Sequence, residues 1–536
     1  MSATQERRTG FTERAAERLG RTTAGRRGAA FVAELRGRVV PVHWTNLFGV
    51  VAMACLVVIT VTGVILMFWY TPSNATVTYD GPYPTLLGAQ ASEAYASTMR
   101  ISFEVPVGLL VRQAHHWAAL LLPAAIIAQL LVTFFTGAFR RPRRAGWVLL
   151  FLLLVAALAG GWSGYALPDD MLSGTGLRIV EGIVLGIPFV GTPLKDLLFG
   201  GAFPGEIIAH LYPLHLAVVP LMAVLIAVRA ALLLRHRPPR FAGPGRTGVP
   251  LLPTAAARAG GLLLIVMGVL MLISATVTIN PIWLYGPASP GDAGAGSQPD
   301  WYTGFLDGAL RLVPPGWELV AFDRTWTLAV LAPLAVVTAY LLLVAAYPFI
   351  EEWILGDHRE HHLLDRPRNT PTRTGVGVAG VVFYGVLWGA ASADVIAAAF
   401  SVSIEGVVLV FQLLLLAGPA VAFALTRRVC LGLQRRDRDM LLHGFETGRI
   451  VRLPGGEYVE VHEELDRDER RRLLDVDRPA TAAIAAATTA PRGRPLERLR
   501  ARLARVFFDS RLEPADPPHD SVDSERDASD LRIPVG

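Results

Sequence analysis

VRQAHHWAALLLPAAIIAQLLVTFF, residues 111–135, is an unbroken apolar run that nevertheless carries one arginine and two adjacent histidines close to its start. A run of this length is what an α-helix needs to cross a hydrocarbon core about 30 Å thick. An ionisable side chain inside such a helix is costly, so Arg112, His115 and His116 each call for a partner. Working outward, comparable runs lie at about 46–70, 146–166, 206–234, 256–280, 326–350, 375–394 and 404–427, which makes about eight predicted spans. The predicted fold class is therefore an all-α polytopic membrane protein, a helix bundle in lipid.

Composition agrees, since 52% of the 536 residues are hydrophobic and only 18% charged, which is too apolar for an ordinary soluble enzyme. Cys55 and Cys430 are the only cysteines, so the chain cannot build a disulfide scaffold or a cysteine-ligated cluster, and it has no C-x-x-C-H motif for a c-type haem. Lys195 is the single lysine, and arginine supplies the rest of the basic charge. Its placement argues for membrane topology and against nucleic-acid binding. Arginines crowd the segment before the first span, the second-to-third turn (Arg140, Arg141, Arg143, Arg144), the fourth-to-fifth turn (Arg235, Arg237, Arg240, Arg246) and the sixth-to-seventh connection (Arg359, Arg366, Arg368, Arg373). The alternate connections are poor in them. By the positive-inside bias these turns face the cytoplasm, and an even number of spans puts both termini there, in a multi-pass protein of the cell membrane.

The chain divides into four regions: a cytoplasmic arm at 1–45, a four-span unit at 46–235, a second four-span unit at 236–427 and a cytoplasmic tail at 428–536. The arm lacks the apolar core and cleavage site of a signal peptide. Two outward-facing connections, about 166–205 and 281–325, are long and rich in glycine, proline and aromatic residues, a pattern expected of functional loops. In the tail, GRIVRLPGGEYVEV (448–461) reads as a hairpin, much of the remainder as disordered, and PLERLRARLARVFF (495–508) as a basic amphipathic helix on the membrane surface or in solvent.

The second and fourth spans run in the same direction, and each has a histidine about two turns below its outer end, His115 and His215. Two neutral imidazoles facing each other across a bundle suit axial ligation of a haem. A pair of buried, hydrogen-bonded structural histidines fits the spacing as well. Gly49 and Gly63, nearly four turns apart in the first span, share a face, as packing glycines often do in membrane helices.

The stretches VRQAHHWAALL (111–121), FFTGAFRRPR (134–143), GYALPDDMLSGTGLR (164–178), GPGRTG (243–248), INPIW (279–283), AGSQPDWY (295–302), AYPFIEE (346–352), LLDRPR (363–368) and LQRRDRDMLLHGFETG (433–448) together resemble the cytochrome b subunit of actinobacterial bcc (bc1-type) menaquinol:cytochrome c reductases. The resemblance implies that His115 and His215 ligate the outer haem b, that Arg112 and Arg178 meet its propionates, and that Gly49, Gly63 and Gly164 leave room for haem rings. It also implies that Asp300 and Tyr302, in a PDWY version of the family's PEWY motif, act at an outer quinol-oxidation site. Aspartate there reaches one methylene less far than glutamate. Menaquinol as substrate, separate Rieske iron–sulfur and cytochrome c subunits, a dimeric complex in membrane lipid and assembly with a terminal oxidase are further implications.

The family's second, inner histidine pair has no counterpart. Fourteen residues beyond His115 is Gln129, fifteen beyond His215 is Ala230, the next expected arginine is Val132, and the expected glycine fourteen residues before Gly164 is Leu150. One haem b is therefore expected, unless His236 or a residue of the first span takes over as ligand. A non-catalytic or assembly paralogue that keeps the fold and one haem is the competing reading. His358, His361 and His362 read as members of a solvated interfacial loop, and His116 as a hydrogen-bonding residue within the bundle. His43, with Trp44 just before the first span, is a lesser candidate at the inner face, and His210, near the outer mouth, receives no role.

Overall fold

A computed structural model describes residues 22–41, 43–201, 205–243, 248–289, 291, 298–477 and 495–509. Eight helices in it are long and apolar enough to cross a membrane: Trp44–Leu66, Gly108–Phe135, Arg144–Ala166, Ile207–Arg235, Leu251–Thr276, Leu328–Leu355, Pro371–Ala390 and Ile404–His443. They are called the first to eighth spans. Backbone polar groups find no water in lipid, and continuous helices satisfy them internally. The eighth runs 40 residues, well past the predicted end at 427, so about half of it projects beyond the bilayer on the arginine-rich side.

The first four spans share one apolar core in which Cys55, Ala114, Ala118, Leu122, Leu150 and Ala157 are buried. A second core joins the seventh and eighth spans to the short helix Gly304–Arg311 through Phe305, Ala309 and Leu387. Much of the remaining apolar surface is exposed, Leu409, Leu416 and Leu425 of the eighth span among it, as lipid-facing side chains must be.

At the arginine-poor end the connections are structured. The first, between spans one and two, carries a hairpin pairing Thr76–Thr78 with Gln90–Ser92 and a helix, Glu93–Phe103. The connection after the third span folds into helices Met171–Leu185 and Gly191–Phe199. The one after the fifth span holds the helix Gly304–Arg311 and a hairpin of Glu318–Ala321 with Arg324–Thr327.

The arginine-rich end is tied down by charge. Arg373 at the start of the seventh span is 1% exposed and grips Glu351 of the sixth span through Nε (2.9 Å) and a terminal nitrogen (2.5 Å). Its other nitrogen reaches Asp365 at 2.5 Å, and Arg140 of the second-to-third turn meets the same carboxylate at 3.0 Å. Arg38 of the arm donates to the carbonyls of Leu233, Leu234 and His236, where the fourth span ends.

In the tail the hairpin forms as Phe445–Arg452 with Tyr458–Glu463, and the helix Pro495–Phe508 docks one face on the bundle while Leu496 and Leu499 stay exposed. Its Ala504 packs on Ile354 at the arginine-rich end of the sixth span, and Thr372 of the seventh span donates to the Val506 carbonyl at 2.9 Å. The solvated-loop reading fails for His361, which is 7% exposed, although His358 and His362 do point outward. His361 Nδ1 lies 2.6 Å from Asp477 of the tail, and Arg140 is 2.7 Å from the same carboxylate, which pulls the loop inward. The expected disorder at 478–494 and 510–536, the arm before residue 22 and most of the GPGRTG stretch lie outside the described residues.

Removing one member of a buried ion cluster strands the others. Arg373→Leu should cost about 3–5 kcal/mol, seen as a lower unfolding midpoint of the detergent-solubilised protein. An unchanged midpoint would show that the cluster is dispensable.

Candidate haem and quinol site

His115 and His215 meet as the sequence predicts, their ring centroids 6.0 Å apart between the second and fourth spans. What fixes them is a hydrogen bond at the same nitrogen of each ring. The Thr62 hydroxyl donates to the Val58 carbonyl at 2.6 Å, so it accepts from His115 Nδ1–H at 3.0 Å. His215 Nδ1–H donates to the Gly160 carbonyl, also at 3.0 Å. Both rings are thereby held as the tautomer whose Nε2 lone pair is free, the arrangement that prepares histidine to bind a metal.

The haem that the resemblance implies fits these residues. Two imidazole–metal bonds of about 2 Å each, with the radii of two rings added, span roughly the separation observed. A cavity of about 270 Å³ lies between the histidines, bordered by Ile59, Gly63, Leu122, Val218 and Met222. Gly63 borders it and Gly164 borders the adjoining space, and both make room for the imidazoles: a methyl group on Gly63 would come within 3.2 Å of His115 Cε1, and one on Gly164 within 2.7 Å of His215 Cε1. Arg112 lines the adjoining space, is 8% exposed, and has a buried Nε with no partner. An unpaired buried guanidinium nitrogen is expensive unless an anion such as a propionate arrives.

Two predicted members stand elsewhere. Gly49 shares the face of Gly63 but borders Gln129, whose Oε1 lies 3.7 Å from where its Cβ would be, at the opposite end of the bundle. Arg178 donates to the Ser289 carbonyl and does not line the histidine cavity.

Asp300 and Tyr302 close the arginine-poor side of the histidine cavity and also wall a separate cavity of about 240 Å³ under the helices Met171–Leu185 and Gly304–Arg311. The Tyr302 hydroxyl donates to Asp300 Oδ2 at 2.7 Å, while His116 Nε2 stands 3.7 Å from the other oxygen. Burial and the neighbouring carboxylate push the Tyr302 phenol well above its ordinary range, so it remains a proton donor at neutral pH. The loop is pinned by Trp301 Nε1 donating to the Leu120 carbonyl (3.2 Å) and Trp388 Nε1 donating to the Trp301 carbonyl (2.9 Å). Nearby, burial raises the Asp170 carboxyl to about 6, although it caps Met171–Leu185 through Leu172 N and Ser173 Oγ.

Sequence reasoning missed three participants. Gly161 lets Tyr302 in, because a Cβ there would stand 2.6 Å from its hydroxyl. Asn280 has a positive φ of 46° and a buried side-chain amide with neither atom partnered, and its carbonyl accepts from Arg112 at 2.8 Å. An asparagine in INPIW, a residue type that tolerates positive φ better than most, was the one signal that sequence offered. Asp307 lines the second cavity. His210 Nδ1 lies 2.9 Å from the Leu197 carbonyl, and His43 stacks on Phe241 at 3.8 Å, so both are engaged away from the site.

A family profile described as Cytochrome b(N-terminal)/b6/petB matches residues 120–287. The chain is 46% identical over 467 residues to the cytochrome bc1 complex cytochrome b subunit of Streptomyces coelicolor, covering 86% of each chain. It is 44% identical over 436 residues to the subunit of the same name from Mycobacterium tuberculosis, covering 80% of this chain and 79% of that one. A chain of a hyperthermophilic respiratory Complex III shares the fold with a TM-score of 0.57 at 17% identity, over 77% of this chain and 98% of that chain. With two histidines poised around a haem-sized gap and this likeness running through most of its length, the chain belongs to the cytochrome b subunits of bc1 complexes.

Proposed function

We propose that the chain is the quinol-oxidising membrane subunit of a quinol:cytochrome c reductase and that it carries one haem b where a two-haem relay is expected. The observation behind this reading is the matched Nδ1 anchoring of His115 and His215, which leaves a free Nε2 on each side of a glycine-cradled gap. Such a haem supplies one-electron redox chemistry. The two imidazoles would hold it, with Arg112 and the Asn280 amide available to its carboxylates. In this reading Asp300 takes a proton from quinol in the adjoining cavity, and Tyr302 orients that carboxylate. The arginine-rich end is cytoplasmic, both termini with it, and the quinol cavity opens toward the outer leaflet of the cell membrane.

The other half of the bundle supports a single haem. Fourteen residues along a helix is about 21 Å, and at that distance below the histidine pair the space is closed by side chains. Gln129 leans against Gly49, Leu150 is 4% exposed within the core, and Ala230 is solvent- or lipid-facing. On the face beneath His215 the fourteenth residue is Arg229, whose buried Nε has no partner. The alternative ligands give little support to a second haem: His236 lies beyond the end of the fourth span, and the first span, Trp44–Leu66, contains no histidine.

The electrons from quinol leave one at a time, so a second one-electron carrier is required. The chain's two cysteines are both free and buried, and it has no cluster motif. The carrier therefore belongs to a Rieske-type iron–sulfur subunit working with a cytochrome c subunit, in a dimeric complex that can assemble with a terminal oxidase. Menaquinol is the substrate in this reading because the similar subunits come from Streptomyces and Mycobacterium; the cavity wall itself does not select the head group.

Haem content by pyridine haemochrome should be about one per chain, with His115→Ala or His215→Ala each removing the Soret band. Two haems per chain, or a Soret band that survives both changes, would refute the assignment. Asp300→Asn should leave that spectrum intact and slow haem reduction by a menaquinol analogue about a hundredfold; an undiminished rate would remove Asp300 from the chemistry.

A further inference from the structure

The tail helix Pro495–Phe508 carries three stripes, each set by the 3.6-residue turn. Ala501, Ala504 and Phe508 form the stripe that meets the bundle: both alanines are buried, and Ala504, Leu503, Phe507 and Phe508 pack with Ile350 and Ile354 of the sixth span. Leu496, Leu499 and Val506 form a second stripe, and all three are exposed. Arg498, Arg502 and Arg505 form the third, exposed as well. The helix holds four arginines against the single glutamate Glu497. The fourth, Arg500, lies across Gly356, where a Cβ would stand 2.5 Å from its Nη2, so this helix sits against the very end of the sixth span.

We propose that the Leu496, Leu499 and Val506 stripe inserts into the lipid leaflet at the arginine-rich end, and that Arg498 and Arg502 bind the phosphates of anionic phospholipids there. Depth commits this surface to lipid. Ile354 is next to the last residue of the sixth span, and Thr372, which bonds to Val506, is the second residue of the seventh. The sixth span has 28 residues, about 42 Å of helix, so its last turns lie outside a hydrocarbon core about 30 Å thick. Phe349 and Trp353, each one residue before a position on which the tail helix packs, are exposed. An exposed tryptophan near the end of a span marks the membrane interface. The tail helix therefore lies at the level of the headgroups, beside a surface that lipid already covers.

Chemistry selects the same occupant. The leucine stripe is costly in water and the arginine stripe is costly in hydrocarbon, and the zone between the two media accommodates both. Arginine can lay its aliphatic stem along apolar surface while its guanidinium meets a phosphate in a bidentate fork. An anionic leaflet adds attraction of about fivefold in affinity for each arginine near its surface. The contact lies at the opposite end of the bundle from the histidine pair, and it stands whether or not the chain oxidises quinol. Its effect on the subunit is mechanical: the lipid holds the helix that braces Ile354 and Thr372, next to the buried Arg373–Glu351 pair.

The test uses the whole complex in nanodiscs of phosphatidylcholine and phosphatidylglycerol, with a bimane fluorophore on Leu499→Cys. Cys55 and Cys430 are buried, and labelling of the unaltered complex is subtracted as background. A nitroxide placed high on a lipid acyl chain should quench this bimane, and iodide in the water should not. Bimane on Tyr458→Cys, in the exposed hairpin, should behave in the opposite way. At equal content, nitroxide phosphatidylglycerol should quench the probe at 499 more than nitroxide phosphatidylcholine does. Arg498→Gln and Arg502→Gln should each lower that preference about fivefold, with the haem spectrum unchanged as the check on folding. Quenching at 499 by iodide alone would place the helix in water and overturn the proposal. Protection from both quenchers would mean that a protein partner covers the stripe, which overturns it equally. Equal quenching by the two lipids, or a preference that survives both glutamine substitutions, would overturn the phosphate contact.

Discussion

The arginine-poor half of the bundle is organised around two hydrogen bonds, Thr62 with His115 and Gly160 with His215. In a low-dielectric interior an imidazole is held neutral, and committing Nδ1–H to an acceptor decides where the other lone pair points. Each acceptor comes from a different helix than its histidine, so the first span fixes the second and the third fixes the fourth. Small residues at 160, 161, 163 and 164 let the third span approach His215 and Tyr302 closely. Enlarging any of these glycines would displace an imidazole or the PDWY loop before it affected helix formation.

The two halves of the same helices therefore solve packing differently. Near the histidines, missing side chains leave space that an apolar core would ordinarily fill, at a cost that rises with cavity volume. Four turns away, Leu150, Gln129 and their neighbours fill it. The bundle thus tolerates a space at one level and closes it at the other. The ion cluster of Arg373, Glu351, Asp365 and Arg140 then ties the filled end together.

Most of the span pattern was legible because hydropathy over some 20 residues is a local property, and the histidine pair was legible because helical rise converts sequence position into depth. Gly49 and Gly63 do share a face, since both look toward the second span, but their tasks differ because one meets Gln129 and the other His115. What sequence could not supply is contact between distant segments. Asn280 matters through Arg112, 168 positions away, and His361 is buried by Asp477, 116 positions on. The long eighth helix escaped because hydropathy stops at the bilayer while helix propensity continues through LQRRDRDMLLH. The PDWY stretch announced itself, whereas Asp307 belongs to no motif and only the fold places it in the cavity wall.

The wall between the two cavities gives this arrangement its direction. Tyr165, Asp300 and Tyr302 border both spaces, so the second cavity stands one residue's thickness from the histidine cavity. On the far side, the Arg311–Asp394 pair leads to the arginine-poor surface. An electron can cross a layer of side chains, but a proton must follow titratable groups or water. Carboxylates stand on both sides of this apolar pocket, and the His115–His215 pair lies behind only one of them, so paths for the two kinds of particle are separate in space. That separation is built wholly from the arginine-poor half of the bundle, and the packed opposite half takes no part in it.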